Sequence, residues 1–565
     1  MSKELNKKLI KIIMEVVSIV IIVFFAYSIT PKTFQNDTFY TIKIGEHIQN
    51  SVTNITELLP WNKGLYSQDP FSFHENLQYT YPHWLYDFLT YKVYCISGFK
   101  SVYIATCILS IILGLSIYFV NKKFNKNIVV SAIITILSLY CLKNFIAARA
   151  QLVTFILFVF TIYGIEQFIS TKKLRYAIML IVIPIIIANV HSAVWPFYFV
   201  LYLPYLAEFL VSKIITTNYP ILIKKIMLKI KMKKLGQIQY DMQKSEIEKL
   251  EKKYNQKIEK RLKKSYKLNI KVEKNVKWLV LIAVICLFTG VLTPIKDMPY
   301  TYIIRTNAGN TIEHISEHVP LTLIKNFNMI LILVLIIGIL TFTRTKIKLR
   351  DFFMLSGLIL LSFMTQRQVS MLVLIGNFIV AYMICDVIAS INKKELKKFN
   401  TVYFELIIMV ITTLVTMFCT INNYKKKIDD EYIDSSSYPV AAANYIQKDL
   451  VSVWGKQNLR IFNDYNYGSY LLFENIPVFI DSRCDLYTPE FNGEKDENGV
   501  YQGRDIFTDF INVSGLATDY EVAFEKYKIT HVITYSNSKL NSLISKDSKY
   551  ELMYEDNYFV VYARK

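Results

Sequence analysis

The sequence predicts a mainly α-helical protein, a polytopic transmembrane helical bundle of about eleven spans with a C-terminal extracytoplasmic α/β domain. Three observations carry that reading. The 565 residues are 53% hydrophobic yet bear a formal net charge of +20. A soluble globule accommodates that combination poorly, whereas a bilayer sorts it into apolar spans and basic links. Eleven apolar runs alternate with links that are in turn lysine-rich and lysine-poor, and from residue 421 onward the texture changes to short β-rich segments.

The apolar runs cover 9–28, 101–120, 127–142, 152–169, 176–190, 193–211, 278–293, 327–343, 352–364, 369–389 and 402–420. A straight crossing needs roughly 20 apolar residues. Several runs are shorter than that, most clearly 352–364. The N-terminus has lysines before a long apolar run, the outline of a signal peptide. That run ends Phe24-Phe25-Ala26-Tyr27 without a small-residue cleavage site, so it reads as an uncleaved anchor.

Orientation follows from the basic links. They hold Lys7, Lys8 and Lys11; Lys122, Lys123 and Lys126; Lys172, Lys173 and Arg175; Arg344, Lys346, Lys348 and Arg350; and Lys393, Lys394, Lys397 and Lys398. These are alternate links, as a cytoplasmic face requires. The expectation is a multi-pass plasma (cytoplasmic) membrane protein with a cytoplasmic N-terminus and an external tail. Lys425-Lys426-Lys427 is the exception, because it then lies outside. The resulting divisions are a membrane module 1–212 containing a first external loop 29–98, a cytoplasmic insertion 213–277, a second membrane module 278–420 and the tail 421–565.

The insertion holds 20 basic against 6 acidic residues and so supplies +14 of the net charge. Met242 to Tyr266 has helix formers and mixed charge, with neither Pro nor Gly. It reads either as a solvated helical element that strengthens the cytoplasmic signal or as a basic surface for anionic lipid. It lacks the aromatic interleaving that base stacking needs, so nucleic acid is not an expected partner. In the tail, Arg460-Ile461-Phe462, Val478-Phe479-Ile480, His531-Val532-Ile533-Thr534 and Phe559-Val560-Val561-Tyr562 read as strands, and Pro439 to Leu450 as a helix with Pro near its start. Seven scattered cysteines form no CxxC pair, which indicates neither a zinc site nor a disulfide framework.

The polar residues hardest to explain cluster on the lysine-poor side. They are Asp37, Asp69, His83, Arg149, Gln151, Asn189, His191, Glu313, Glu317 and Arg367. Carboxylates just outside a bilayer can act as a base or hold a metal, and ionisable groups at membrane depth are costly and usually functional. Each also has a plain reading. A single loop Asp is ordinary, Arg149 and Arg367 can snorkel to lipid phosphates, and Asn189 with His191 can serve helix packing. In the tail, Asn463, Asp464, Asp481, Arg483 and Asp485 fit a carbohydrate-binding cleft or, equally, turn chemistry with an Asp–Arg pair.

These residues fall into an order that resembles bacterial GT-C superfamily proteins, polytopic glycosyltransferases that include the protein mannosyltransferases, and in particular a poorly characterised branch of them. The carriers of the resemblance are the early Asp37, then Asp69-Pro70-Phe71-Ser72 and His83-Trp84-Leu85, all in the first loop. Ala148-Arg149-Ala150-Gln151 is similar to an Arg-Pro-Gln that opens a span, with Ala150 in place of Pro, and Asn189-Val190-His191 to an Asn-x-His at an outer helix end. Leu292-Thr293-Pro294, Ile315-Ser316-Glu317 and Gln366-Arg367 match later external positions. Phe462-Asn463, Gly468-Ser469-Tyr470-Leu471 and Phe479-Ile480-Asp481-Ser482-Arg483 resemble the terminal domain of that branch. Relatives often carry His-Glu-Trp-Leu where this chain has Pro82-His83-Trp84-Leu85, so the second acid of the pair is Asp69 or is absent.

The resemblance implies transfer of a sugar from a polyprenyl-phosphate carrier to an extracytoplasmic acceptor, which is an envelope glycan, lipid or protein. It implies Asp37 as general base, with Asp69 assisting or sharing a divalent cation such as Mg or Mn. Arg149, His191 and Arg367 would bind the donor phosphate, supported by His83, Gln151, Asn189, Glu313 and Glu317. Two rivals remain at this level. One is a non-catalytic envelope scaffold, which absence of the second loop acid favours. The other is a transporter, against which stand the missing two-half symmetry and the lack of a charged midspan pair.

Overall fold

Every apolar run is mainly helical, although 193–211 is broken between Val200 and Leu203 and 278–293 runs past the helix end at Cys286. The structure, a computed structural model, describes residues 2–52, 65–231, 237–263, 267–270, 273–309, 315, 317–391 and 401–565. In chain order its helices are α1 (Ser2–Ile29), α2 (Asn36–Ser51), α3 (Trp84–Ser97), α4 (Phe99–Asn125), α5 (Ile128–Leu142), α6 (Ala150–Thr171) and α7 (Leu174–Val190). There follow α8 (Trp195–Val200), α9 (Leu203–Thr216), α10 (Tyr219–Lys231), α11 (Gln237–Lys263), α12 (Val276–Cys286) and α13 (Met298–Ala308). Beyond these come the helices Phe327–Phe342, Leu349–Met364, Val369–Ile391 and Thr401–Ile428.

Local chemistry sets the helix ends. Gly98, at φ +61°, separates α3 from α4, and Lys126 ends α4 in the left-handed region at φ 61°. Asn127 then starts α5, its side chain accepting a hydrogen bond from the Val130 amide at 2.9 Å. Lysines of the basic links therefore also serve as helix terminators; Lys172 closes α6 in the same way.

Among the described residues seven helical segments are long and apolar enough to cross a membrane, where eleven spans were expected. They are Leu5–Ile29, Phe99–Asn125, Ile128–Phe145, Ala150–Thr171, Ser192–Thr216, Gln366–Ser390 and Val402–Ile428. The difference is one of length. Leu174–Val190, Val276–Val291 and Phe327–Phe342 are apolar but shorter, and at about 1.5 Å of rise per residue they fall below a hydrocarbon core of about 30 Å. The run at 352–364 lies on a helix whose first turn carries Arg350 and Asp351.

The first and last membrane helices run side by side in the same direction. Ser18 of α1 meets Met409, Asn423 meets Ser28, and the Lys427 ammonium reaches the Tyr27 and Thr30 carbonyls at 2.8 and 3.1 Å. Lys427 thus satisfies carbonyls left open at the C-terminal end of α1 and lies over the Tyr27 ring at 4.1 Å. The lysine that broke the charge rule has a structural task at that helix end.

That parallel pairing brings the first loop and the tail to one end of the bundle, where they share a hydrophobic core. Phe39 of α2 packs edge-on to Tyr438 and Tyr470 of the tail at centroid distances of 4.9 and 5.2 Å. Strands β1 (Tyr66–Gln68) and β2 (Gln78–Thr80) form a hairpin in the loop. In the opposite end of the bundle, β3 (Leu268–Asn269) pairs in parallel with β4 (Ile347–Lys348) and ties the basic insertion down. Arg350 is buried there between Glu166 at 2.8 Å and Glu208 at 3.4 Å.

The tail contains a four-stranded sheet of order β5-β6-β8-β7, from β5 (Ile461–Phe462), β6 (His531–Tyr535), β7 (Tyr550–Glu555) and β8 (Phe559–Arg564). Three of the four runs read from sequence are strands. Val478 instead makes single bridges to Ile461 and to Ser72 of the first loop, and β7 was not anticipated. Gly468 is required by packing: a Cβ there would strike the Ile480 carbonyl and come within 2.8 Å of the Asn463 amide nitrogen.

Candidate functional site

A cavity of about 520 Å³ opens where the bundle, the first loop and the tail meet. Its charged lining comes from all three. Asp37 stands in the first turn of α2, where free backbone N–H groups favour a carboxylate. Arg149 is the residue preceding α6, held extended at φ −133° and ψ 152°, so its side chain projects from the helix end into the cavity.

Arg149 links two acids. Its Nη2 lies 2.8 Å from Asp37 Oδ2 and its Nη1 lies 3.4 Å from Glu317 Oε1. Although burial opposes the charge, these carboxylates keep Arg149 fully protonated. Its Nε is buried and has no hydrogen-bond partner among the described residues. Burial works against the Glu317 charge too, but Arg149 and Arg367 hold its carboxyl below the usual range.

His83 and His191 stack edge to face with ring centroids 4.8 Å apart. His191 Nδ1 lies 3.0 Å from the Thr154 hydroxyl, and both Ser192 N and Oγ donate to the Pro82 carbonyl at 3.0 Å. Burial first, then Arg367 and Arg149, push His83 down to about 3. His191 is also lowered, by burial, His83 and Arg367. Both rings are therefore neutral near pH 7 and act as hydrogen-bonding groups rather than as cations.

Seven of the ten residues singled out from sequence line this cavity: Asp37, His83, Arg149, Gln151, His191, Glu317 and Arg367. Glu313 lies outside the described residues. Asn189 sits behind the wall, accepting from Trp84 Nε1 at 3.1 Å and donating to the Leu292 carbonyl at 2.9 Å. It locks the first loop to the bundle, which is the helix-packing reading of that residue.

Asp69 is not brought into the cavity. It is buried, 2.7 Å from Arg483 Nη1, and accepts from the Ser72 amide at 2.8 Å. Burial alone would raise its pKa, but Arg483 and the Ser72 amide hold it below the ordinary carboxylate value. Arg483 also grips Asp481 through Nε at 2.8 Å and Nη2 at 2.6 Å, and Tyr487 donates to Asp481 at 2.5 Å. The result is a buried clasp between loop and tail. Asn463 likewise works internally, donating to the Ile480 carbonyl at 2.7 Å and accepting from the Phe479 amide at 2.8 Å, while Asp464 caps the helix Tyr465–Phe473. These four tail residues follow the turn-and-pair reading.

Asp485 behaves differently. It lines the cavity, as Arg483 does from the clasp, but is bound there by Tyr302 of α13, which donates a hydrogen bond to it, and its carboxyl is raised by burial. Tyr302 and His318 were not anticipated. His318 had the signal of standing next to Glu317, whereas nothing in the sequence marked Tyr302. Cys484 also lines the cavity, and all seven cysteines are free thiols.

Asp37 and Asp69, the alternative considered for a shared cation, lie apart in this structure. Asp37 has a guanidinium, not a second acid, as its partner, and Asp69 is taken up by Arg483. Among the described residues no three His, Cys, Asp or Glu side chains gather as cation ligands. Asp37 and Asp69 as placed do not fit a shared divalent ion.

No known family's sequence profile matches the chain, and no curated protein matches it. Solved structures do. The chain is similar in fold to the Archaeoglobus fulgidus oligosaccharyltransferase crystallised tethered with an acceptor peptide containing the NVT sequon via a disulfide bond. The TM-score is 0.51 at 11% identity, over 98% of this chain and 74% of that one. A second crystal structure of that protein, in complex with Zn and sulfate, gives 0.47 at 12% identity over 97% and 73%. At such identity the first likeness is one of fold. The chain has a mainly helical fold similar to that of this oligosaccharyltransferase, with seven helical segments among the described residues long and apolar enough to cross a membrane.

Proposed function

We propose that this protein is a membrane glycosyltransferase that moves a sugar from a polyprenyl-phosphate carrier to an acceptor bound in the cavity. The observation that carries the reading is Arg149 in the cavity wall, paired with Asp37 through one nitrogen, with a buried Nε that has no hydrogen-bond partner among the described residues. A guanidinium with an unsatisfied donor suits a phosphate oxygen. Arg367 adds a second positive charge to the same cavity.

In the proposed reaction an acceptor oxygen forms a bond to the anomeric carbon while the bond from that carbon to the phosphate oxygen breaks. The acceptor proton passes to Asp37, and the phosphate leaves with the bonding electron pair, its charge stabilised by Arg149 and Arg367. Donor phosphate competes with Asp37 for Arg149, so donor binding would also release the carboxylate as a base. Asp485 and Tyr302 lie across the cavity as acceptor-side contacts. The lysine asymmetry supports an extracytoplasmic location for this end, and the mannosyltransferase-like resemblance supports an envelope glycan, lipid or protein as acceptor.

The test is transfer of label from a polyprenyl-phosphate sugar by purified protein in detergent. The reading predicts label in the acceptor fraction with wild type and its loss with Asp37→Asn. A non-catalytic scaffold is the second reading, favoured by one observation: the loop's other acid, Asp69, is consumed by the clasp. Donor binding without turnover in any acceptor pool would select it.

A further inference from the structure

The helix α10 presents an apolar face that is largely exposed among the described residues. Tyr219, Leu222, Ile223, Ile226, Met227 and Ile230 are each 42–73% exposed. Their positions follow the i, i+3, i+4, i+7 rule, which places them in one arc about 140° wide on a helix of 100° per residue. The opposite face is accounted for. Leu228 is buried, and Lys225 is bonded to Glu251 of α11 at 2.5 Å. Lys224 and Lys229 are exposed and fall on the two flanks of the apolar arc.

Location adds to this. The span Ser192–Thr216 ends only two residues before α10 begins, and Asn218 starts the new helix with its carbonyl accepting from Leu222 at 2.9 Å. The span runs away from the cavity, so α10 begins at the lysine-rich end of the bundle. The far side of the insertion is pinned to that end too, by β3 with β4 and by Asn275 donating to the Ile169 carbonyl at 2.7 Å.

We infer that α10 is an interfacial helix that inserts its apolar arc into the leaflet opposite the cavity and holds anionic lipid headgroups with its flanking lysines. The physical case is charge and shape complementarity. An apolar arc at the mouth of a span has hydrocarbon available to cover it, and lysines on both edges extend along their stems to the phosphate level. The insertion carries +14 of the chain's charge, which an anionic leaflet attracts within about 10 Å of its surface.

The experiment uses the full-length protein in vesicles of phosphatidylcholine with phosphatidylglycerol. Ile226→Cys on α10 and Ser245→Cys on α11, each in a Cys95→Ser background, carry an environment-sensitive fluorophore. Position 245 is exposed on the other helix of the insertion and reports the aqueous side. The expected result is loss of emission at 226 with brominated acyl chains but not with aqueous iodide, and the reverse at 245. Iodide quenching at 226 equal to that at 245 would overturn the inference. Bromolipid quenching at 226 that is unchanged in pure phosphatidylcholine would overturn the anionic partner.

Discussion

Asp37 and Arg149 form a 2.8 Å ion pair between the first turn of α2 and the residue that opens α6. The pair sets the resting state of the cavity: one carboxylate oxygen is held by the guanidinium, and Glu317 holds the same guanidinium from its other side. Asp37→Asn keeps the shape and removes the charge and the proton-accepting oxygen. Transfer should fall by about 10²–10⁴-fold, the usual contribution of a positioned base, with insertion and elution profile unchanged. Near-normal transfer would remove Asp37 from the chemistry.

The Asp69–Arg483–Asp481 clasp predicts an order of stabilities. Arg483→Met leaves two buried carboxylates without their counter-charge, a change that costs about 3–5 kcal/mol when a buried pair loses one partner. Asp69→Asn should cost less, because Arg483 keeps Asp481. Asp485→Asn should leave thermal unfolding almost unchanged while reducing transfer, since Asp485 faces the cavity. Because the folded pKa of Asp69 is depressed, its contribution is present at neutral pH and is lost as pH falls through that lowered value. Thermal midpoints recorded against pH should therefore lose their steepest acid limb in Asp69→Asn.

His83 predicts a second, separate pH window. Its folded pKa of about 3 lies below the ordinary 6.5. The unfolded chain takes up a proton below 6.5 that the folded protein refuses until about 3, so stability falls on acidification across that interval. In His83→Gln the slope of unfolding free energy against pH should flatten there. An unchanged slope would show that His83 is not held neutral.

The shared core of first loop and tail predicts one compartment for both. Single cysteines replacing Ser51 at the end of α2 and Ser436 in the tail, both exposed, should react alike with an impermeant thiol reagent on intact cells. A cysteine replacing Ser245 should not. Labelling at 245 with protection at 51 and 436 would invert the proposed orientation.

Much of this was legible in the sequence because spans and site residues obey rules that act locally. The runs became helices because apolar periodicity needs no tertiary information, and Arg149 reached the cavity because a charged residue at a span's mouth has few places to go. Asp69 was misleading for the opposite reason. Its partner Arg483 lies in the tail, and no local pattern announces a pair that forms only when distant segments dock. Tyr302 was hidden by the same distance, whereas Asp485 was marked only as one of five tail residues with two equal readings. Span number is least legible at Leu174–Val190 and its short companions, where apolarity is clear and only length decides.

The parallel packing of α1 against Thr401–Ile428 has a consequence for biogenesis. Asp37 is made well before Asp485 and the Arg483 that fastens the first loop. A chain that stops before Arg483 and Asp485 lacks part of the cavity wall, and an inserted N-terminal half would present α1 with its tail-side carbonyls unmet by Lys427. Completion of the last membrane helix therefore closes the bundle around α1, and the site is finished only when Arg483 and Asp485 follow it.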